Sequence, residues 1–242
     1  MGHSTGCQDT MQYLVGGSGG AKAGDAGESG VDGAMVDQGE REGTSADRGR
    51  RPKLDGAILQ APVSDREAMV EMLGGDDFSR MVREVQEQWI DAGRSDDVLP
   101  ASYAGKLFGK SSAVTAYRWM SLASPDGTGD DDYFSSDLPE QQLQRTFGRL
   151  GRVAPETPVM LLYGERDQYV PGWVDKEALV RKWAGIIKQG GAALDDTNGG
   201  IVPGASHNLR GDPEHVLRDL FSRVNGFLQR IDKGDIKTAP HL

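Results

Sequence analysis

One cysteine, Cys7, is all that the 242 residues contain. An internal disulfide is excluded, and sparing use of thiols fits a reducing compartment, so the expected localisation is cytoplasmic. No stretch approaches the ~20 apolar residues of a membrane span. The first residues hold no basic segment followed by an apolar run, so no signal peptide is expected. Positive charge is in deficit: 27 Lys and Arg stand against 37 Asp and Glu, a formal net charge of −10. Nucleic acid and anionic membrane surfaces select basic patches, so neither is expected as a partner. The four histidines are scattered, and Cys7 has no companion at ligand spacing, so no metal site is expected. The absence of a phosphate loop or dinucleotide fingerprint gives no reason to expect a cofactor.

Large apolar side chains are also scarce, at 37% hydrophobic residues beside 34 glycines, and the shortage is local. From Gly16 to Gly49 the chain holds no aromatic residue and only Val31, Met35 and Val36 as larger apolar side chains. Such a segment cannot bury enough surface to offset its ordering entropy, so residues 16–52 are expected to form a disordered, Gly-rich acidic insert. The remainder reads as one domain of class α/β. Ala57–Leu59, Val159–Tyr163 and Ile201–Val202 are short apolar runs suited to buried strands. Helices are predicted after Ser4, after Ser64 (whose spacing to Glu67 is that of a capping box), over Phe78–Ala92 and after Pro139. Two more are predicted after an Asp175 cap and from Asp212-Pro213 onward. Alternating strands and helices imply right-handed crossovers and a parallel sheet flanked by helices.

Three residues then stand in a telling order. Gly2-His3-Ser4-Thr5-Gly6 reads as G-x-S-x-G, the pattern of a strained strand-to-helix turn that presents a nucleophilic serine. Asp167 follows the strand at Val159–Tyr163, and His207 follows the one at Ile201–Val202. Serine, acid, histidine is the chain order of the α/β-hydrolases, and reactive groups in parallel sheets lie beyond strand ends. The chemistry needs all three. A serine hydroxyl is a poor nucleophile until an imidazole takes its proton, and the imidazole needs a carboxylate to fix its tautomer. His3, His215 and His241 lack such a setting, and Cys7 reads as a small buried residue. Asp65 follows the strand at Ala57–Leu59, where some hydrolases place their acid, but its capping-box position favours a structural role. Glu165 is expected to point away.

The blocks "GHSTGCQDTMQYL", "LDGAILQAPVSDREA", "SLASPDGTGDDDYFSSDL", "LLYGERDQYVP" and "GIVPGASHNL" resemble the fungal and plant α/β-hydrolases of the DUF1749 group. The resemblance covers most of the chain outside the insert. It implies an α/β-hydrolase fold with Ser4 as nucleophile, Asp167 as acid and His207 as base. It further implies a carboxylic-ester hydrolase acting on a small-molecule ester, with siderophore esters of the fusarinine type as the sharpest substrate expectation. The helical region 65–151 would be the lid, with Trp89, Tyr103, Phe108, Tyr117 and Trp119 as candidates to line an acyl pocket.

In that fold the nucleophile follows the fifth of about eight strands, and this chain starts at the end of that strand. The sequence therefore reads as the C-terminal part of the fold, with a sheet of about three strands. Of the two expected oxyanion-hole donors, the Thr5 N–H is present and the one from the early loop is not. Two alternatives stay open beside the serine esterase: a catalytically inactive truncated hydrolase, and a non-enzymatic module that binds a partner through exposed apolar surface.

Overall fold

A computed structural model describes residues 1–15, 52–104 and 112–237. Residues 16–51 of the expected insert, together with Phe108 and His241, lie outside the described residues. Four parallel strands form one sheet in the order β1-β2-β3-β4: β1 (Gly2–His3), β2 (Ala57–Gln60), β3 (Val159–Gly164) and β4 (Gly200–Val202). The sheet thus has one strand more than the sequence suggests. The addition is β1, whose Gly2 pairs with Leu59 and His3 with Gln60. Two residues carry no hydrophobic period, so this strand end is signalled by the G-x-S-x-G turn alone and not by apolar patterning.

Alternation along the buried strands divides the core. Leu59, Leu161 and Tyr163 face helices α1 (Thr5–Val15) and α8 (Lys176–Gln189), packing with Met11, Trp183 and Ile187. Ile58, Met160 and Leu162 face α9 (Glu214–Lys233), packing with Val216, Leu220 and Phe227. A strand buried on both faces reads as a continuous apolar run, and β3 is buried at every position. The long stripe expected of α9 is only partly used: Phe221 and Leu228 are exposed. Among the described residues no helix is long and apolar enough to cross a membrane.

Between β2 and β3 the chain is helical. α2 (Asp65–Leu73), α3 (Gly75–Val85), a π-helical turn (Gln86–Ile90), α4 (Ala101–Ala104) and α5 (Ala116–Ala123) share a separate core built on Met69, Phe78, Val85, Trp89 and Trp119. The helix expected over Phe78–Ala92 therefore changes character at Gln86, where the Asp91 N–H reaches back five residues to the Gln86 carbonyl. The segment that follows, with α6 (Glu140–Arg145) and α7 (Leu150–Val153), joins the sheet core instead, through Phe134, Phe147 and Leu150 around Trp183.

The start of α2 is tied to this segment by a buried polar network. Ser64 caps the helix by accepting from the Glu67 N–H at 3.0 Å. Glu67 does not close the capping box; its carboxylate accepts from the N–H and hydroxyl of Ser136 instead. Arg66 forms an ion pair with Asp132 at 2.9 Å, with side chains 8% and 2% exposed, and also grips Asp137. Removing one partner of a buried ion pair leaves an uncompensated charge and costs about 3–5 kcal/mol. Arg66→Ala is accordingly expected to lower the unfolding free energy by about that much, as read from urea denaturation.

Candidate active site

The turn after β1 is strained in the manner the sequence requires. Ser4 has φ 53°, a left-handed conformation that costs a non-glycine residue about 1–3 kcal/mol. It is held from both sides: its N–H donates to the Gln60 carbonyl at 3.1 Å, and its carbonyl accepts from the Cys7 N–H at 2.8 Å. Cys7 is fully buried, and its thiol donates to the carbonyls of Gly2 and Gln60. Burial pushes its pKa up to about 12, so it is a structural clasp with no nucleophilic character near neutral pH.

The two glycines of the motif are not equivalent. A Cβ on Gly2 would lie 2.2 Å from the Gly6 carbonyl oxygen, whereas one on Gly6 would meet nothing within 4 Å. The close approach of strand to helix makes glycine obligatory at the first position only. Gly2→Ala should lower stability by about 1–3 kcal/mol and displace the turn, while Gly6→Ala should be tolerated. Parallel thermal melts of the two variants check the contrast.

The ends of β3 and β4 bring the other two residues together, 40 positions apart in sequence. His207 Nδ1 lies 2.8 Å from Asp167 Oδ2, with side chains 6% and 0% exposed. The second carboxylate oxygen of Asp167 accepts from the Tyr169 N–H at 3.0 Å. An ionised carboxylate can only accept, so in this bond Nδ1 carries the proton and, in the neutral ring, Nε2 is left as the accepting nitrogen. The His207 ring contacts two others, Tyr169, edge-on at 4.7 Å, and His3 at 4.9 Å between centroids. His3 Nε2 also lies 3.0 Å from the His207 carbonyl oxygen, and the His207 N–H donates to Gln168 Oε1.

The loops that carry the pair are pinned in turn. Lys176 Nζ donates to the carbonyls of Glu165 and Asp167, and Glu165 accepts from the Gly204 N–H at 2.7 Å, away from the histidine. Asp212 does not cap α9, which starts from Pro213 with no side-chain cap. Its carboxylate instead accepts from the N–H and hydroxyl of Ser206, bracing the residue before His207.

Ser4, Thr5, His207 and His3 share one cleft of about 330 Å³ at the C-terminal end of the sheet, closed on the far side by α2 through Asp65, Ala68, Met69 and Met72. The four described aromatic residues put forward for its lining lie elsewhere: Trp89 and Trp119 are interior to the helical core, Tyr103 packs against them, and Tyr117 is 52% exposed. Asp65 does not reach the histidine; it accepts from Gln8 Nε2 at 2.5 Å. His215 is on the exposed side of α9. Among the described residues no group of three or more His, Cys, Asp or Glu is placed to hold a metal ion.

A parallel sheet flanked by helices, with a left-handed serine turn at one strand end and a His–Asp pair beyond two others, is the architecture of the α/β-hydrolase fold. Within that class the chain belongs to the family described as Protein of unknown function (DUF1749), whose pattern it matches over residues 1–229. It is 37% identical over 201 residues to a fusarinine C esterase of Aspergillus fumigatus, covering 76% of this chain and 57% of that protein. It is 34% identical over 262 aligned positions to an esterase of Emericella nidulans, covering 100% of this chain and 67% of that protein. A solved structure, the siderophore hydrolase EstB from Aspergillus fumigatus, superposes with a TM-score of 0.66 at 32% identity, covering 96% of this chain and 65% of that one. The chain thus spans a little over half to two thirds of the length of these relatives.

Proposed function

We propose that this chain carries the catalytic residues of a serine ester hydrolase that works through an acyl-enzyme, with Ser4 as nucleophile, His207 as general base and Asp167 as its orienting carboxylate. The observation that carries the reading is the 2.8 Å Nδ1–Oδ2 bond of His207 and Asp167 beside a cleft that also holds Ser4. In the first step Nε2 of His207 accepts the Ser4 hydroxyl proton as Oγ bonds to the ester carbonyl carbon. The oxyanion faces the Thr5 N–H, at the N-terminus of α1, where helical N–H groups lack intrahelical acceptors. Collapse expels the alcohol, which takes the proton from Nε2. Water then attacks the acyl-serine with the same histidine as base, releasing the acid and the free serine.

The substrate class proposed is a small-molecule carboxylic ester, and within it ester siderophores of the fusarinine type. Support comes from relatives named as a fusarinine C esterase and a siderophore hydrolase. Within the region 65–151, the helices α2 to α5, which have a core of their own, are proposed to act as the lid, since α2 supplies an apolar wall of the cleft that holds Ser4. The test is hydrolysis of p-nitrophenyl acetate and of a fusarinine-type ester by the purified chain. Turnover of both supports the reading. Folded protein that turns over neither favours an inactive hydrolase, and turnover of the acetate alone removes the siderophore assignment.

A further inference from the structure

Among the described residues that line the cleft shared by Ser4 and His207, Asp65 is the one carboxylate. Nearby acids are matched: Asp132 pairs with Arg66, and Asp131 with Arg118. Asp65 forms no ion pair among the described residues. Its hydrogen-bond partner is the neutral amide of Gln8, on α1 one turn after Ser4. Gln8 is buried, and its own Oε1 has no partner among the described residues, so the two side chains together are short of donors. Burial is the largest influence on the Asp65 carboxyl and raises its pKa; Gln8 and Arg118 act the other way. A carboxyl in that condition gains most from a ligand that brings a positive charge to it.

Ala68, Met69 and Met72 continue the same wall from Asp65, one to two turns along α2. An acidic group at one end and methyl, thioether and methylene surface beyond it suit an alkyl stem that ends in an ammonium. We propose that Asp65 is a cation-binding subsite of the cleft, selecting esters that carry an ammonium group on a short aliphatic chain. This rests on the reading of the cleft as an ester site, and it refines which ester. A purely structural Asp65, serving the first turn of α2 through the helix dipole, would show no ligand preference.

The test is equilibrium binding near neutral pH, which requires no turnover. Calorimetric titration compares n-hexylammonium with 1-hexanol, on the full chain and on Asp65→Asn and Asp65→Ser, the serine variant retaining a residue suited to a helix start. The expected result is about tenfold tighter binding of the ammonium to the native chain, a preference that falls to about twofold or less in either variant that folds. Equal affinity of the two ligands for the native chain, binding of neither, or a preference that survives both substitutions overturns the subsite. Turnover of p-nitrophenyl acetate, measured on the same samples, keeps the two readings apart. Turnover without ammonium preference removes the subsite alone, whereas ammonium preference without turnover upholds the subsite and counts against the hydrolase reading.

Discussion

Ser4→Ala is expected to lower kcat for ester hydrolysis by about 10⁴–10⁶ with little change in KM, because in the proposed mechanism the hydroxyl forms the covalent intermediate and contributes little to ground-state affinity. The variant should remain folded. The turn is held by main-chain bonds from Ser4 to Gln60 and from Cys7 to Ser4, which alanine preserves. Alanine at φ 53° is no less strained than serine, so any stability change should be small beside the loss of rate. Steady-state kinetics with p-nitrophenyl acetate, alongside a thermal melt, separates the two effects. A double variant with His207→Ala should be about as slow as Ser4→Ala alone, since residues that act as a unit do not add.

Asp167→Asn should cost about 10⁴ in kcat, by the precedent of the same change in a serine protease triad. The cause here is geometric. Asp167 offers one oxygen to His207 Nδ1 and the other to the Tyr169 N–H. An asparagine keeps its single carbonyl oxygen for one of these and turns an NH₂ toward the other. If the oxygen stays with Tyr169, the NH₂ faces Nδ1 and selects the opposite tautomer, placing the proton on Nε2, where it cannot accept from Ser4. The loss should appear in kcat and leave the ring contacts of His3 and Tyr169 with His207 in place. Kinetics of the variant, with His207 ring nitrogens observed by NMR, checks both the rate and the tautomer.

Much of the fold was legible because period and burial coincide. β3 reads as a continuous apolar run since both its faces are covered, and Leu179, Trp183, Ile186 and Ile187 recur at helical spacing because α8 lies flat on the sheet. Strand β1 was legible only as the end of a strand before the G-x-S-x-G turn, for two residues have no pattern and their pairing with Leu59 and Gln60 is contributed by a strand far along the chain. Polar groups misled where tertiary partners outbid local ones. Glu67 leaves its own helix for Ser136, and Asp212 leaves α9 for Ser206. Trp89 and Trp119 were candidates for the cleft only through the lid reading, with core packing the commoner fate of such residues, and a helical layer with its own core holds them inside it.

The candidate site shows the same division. Ser4, Asp167 and His207 could be picked out by order along the chain and by position after strands. The part of His3 could not, because it depends on the backbone and ring of His207, 204 positions away. Asp65 was visible as an acid after a strand, but that it has no ion pair among the described residues shows only when Arg66 and Arg118 are seen paired with other carboxylates.

The most direct test of the account is the site and rate of phosphonylation by a fluorophosphonate, mapped by mass spectrometry in the native chain and in His207→Ala. An activated serine should give a single adduct on Ser4, formed at least about 10³ times faster than in the variant, since that activation belongs to the neighbouring imidazole. An adduct on another residue, or labelling of Ser4 at the same rate without His207, would contradict it.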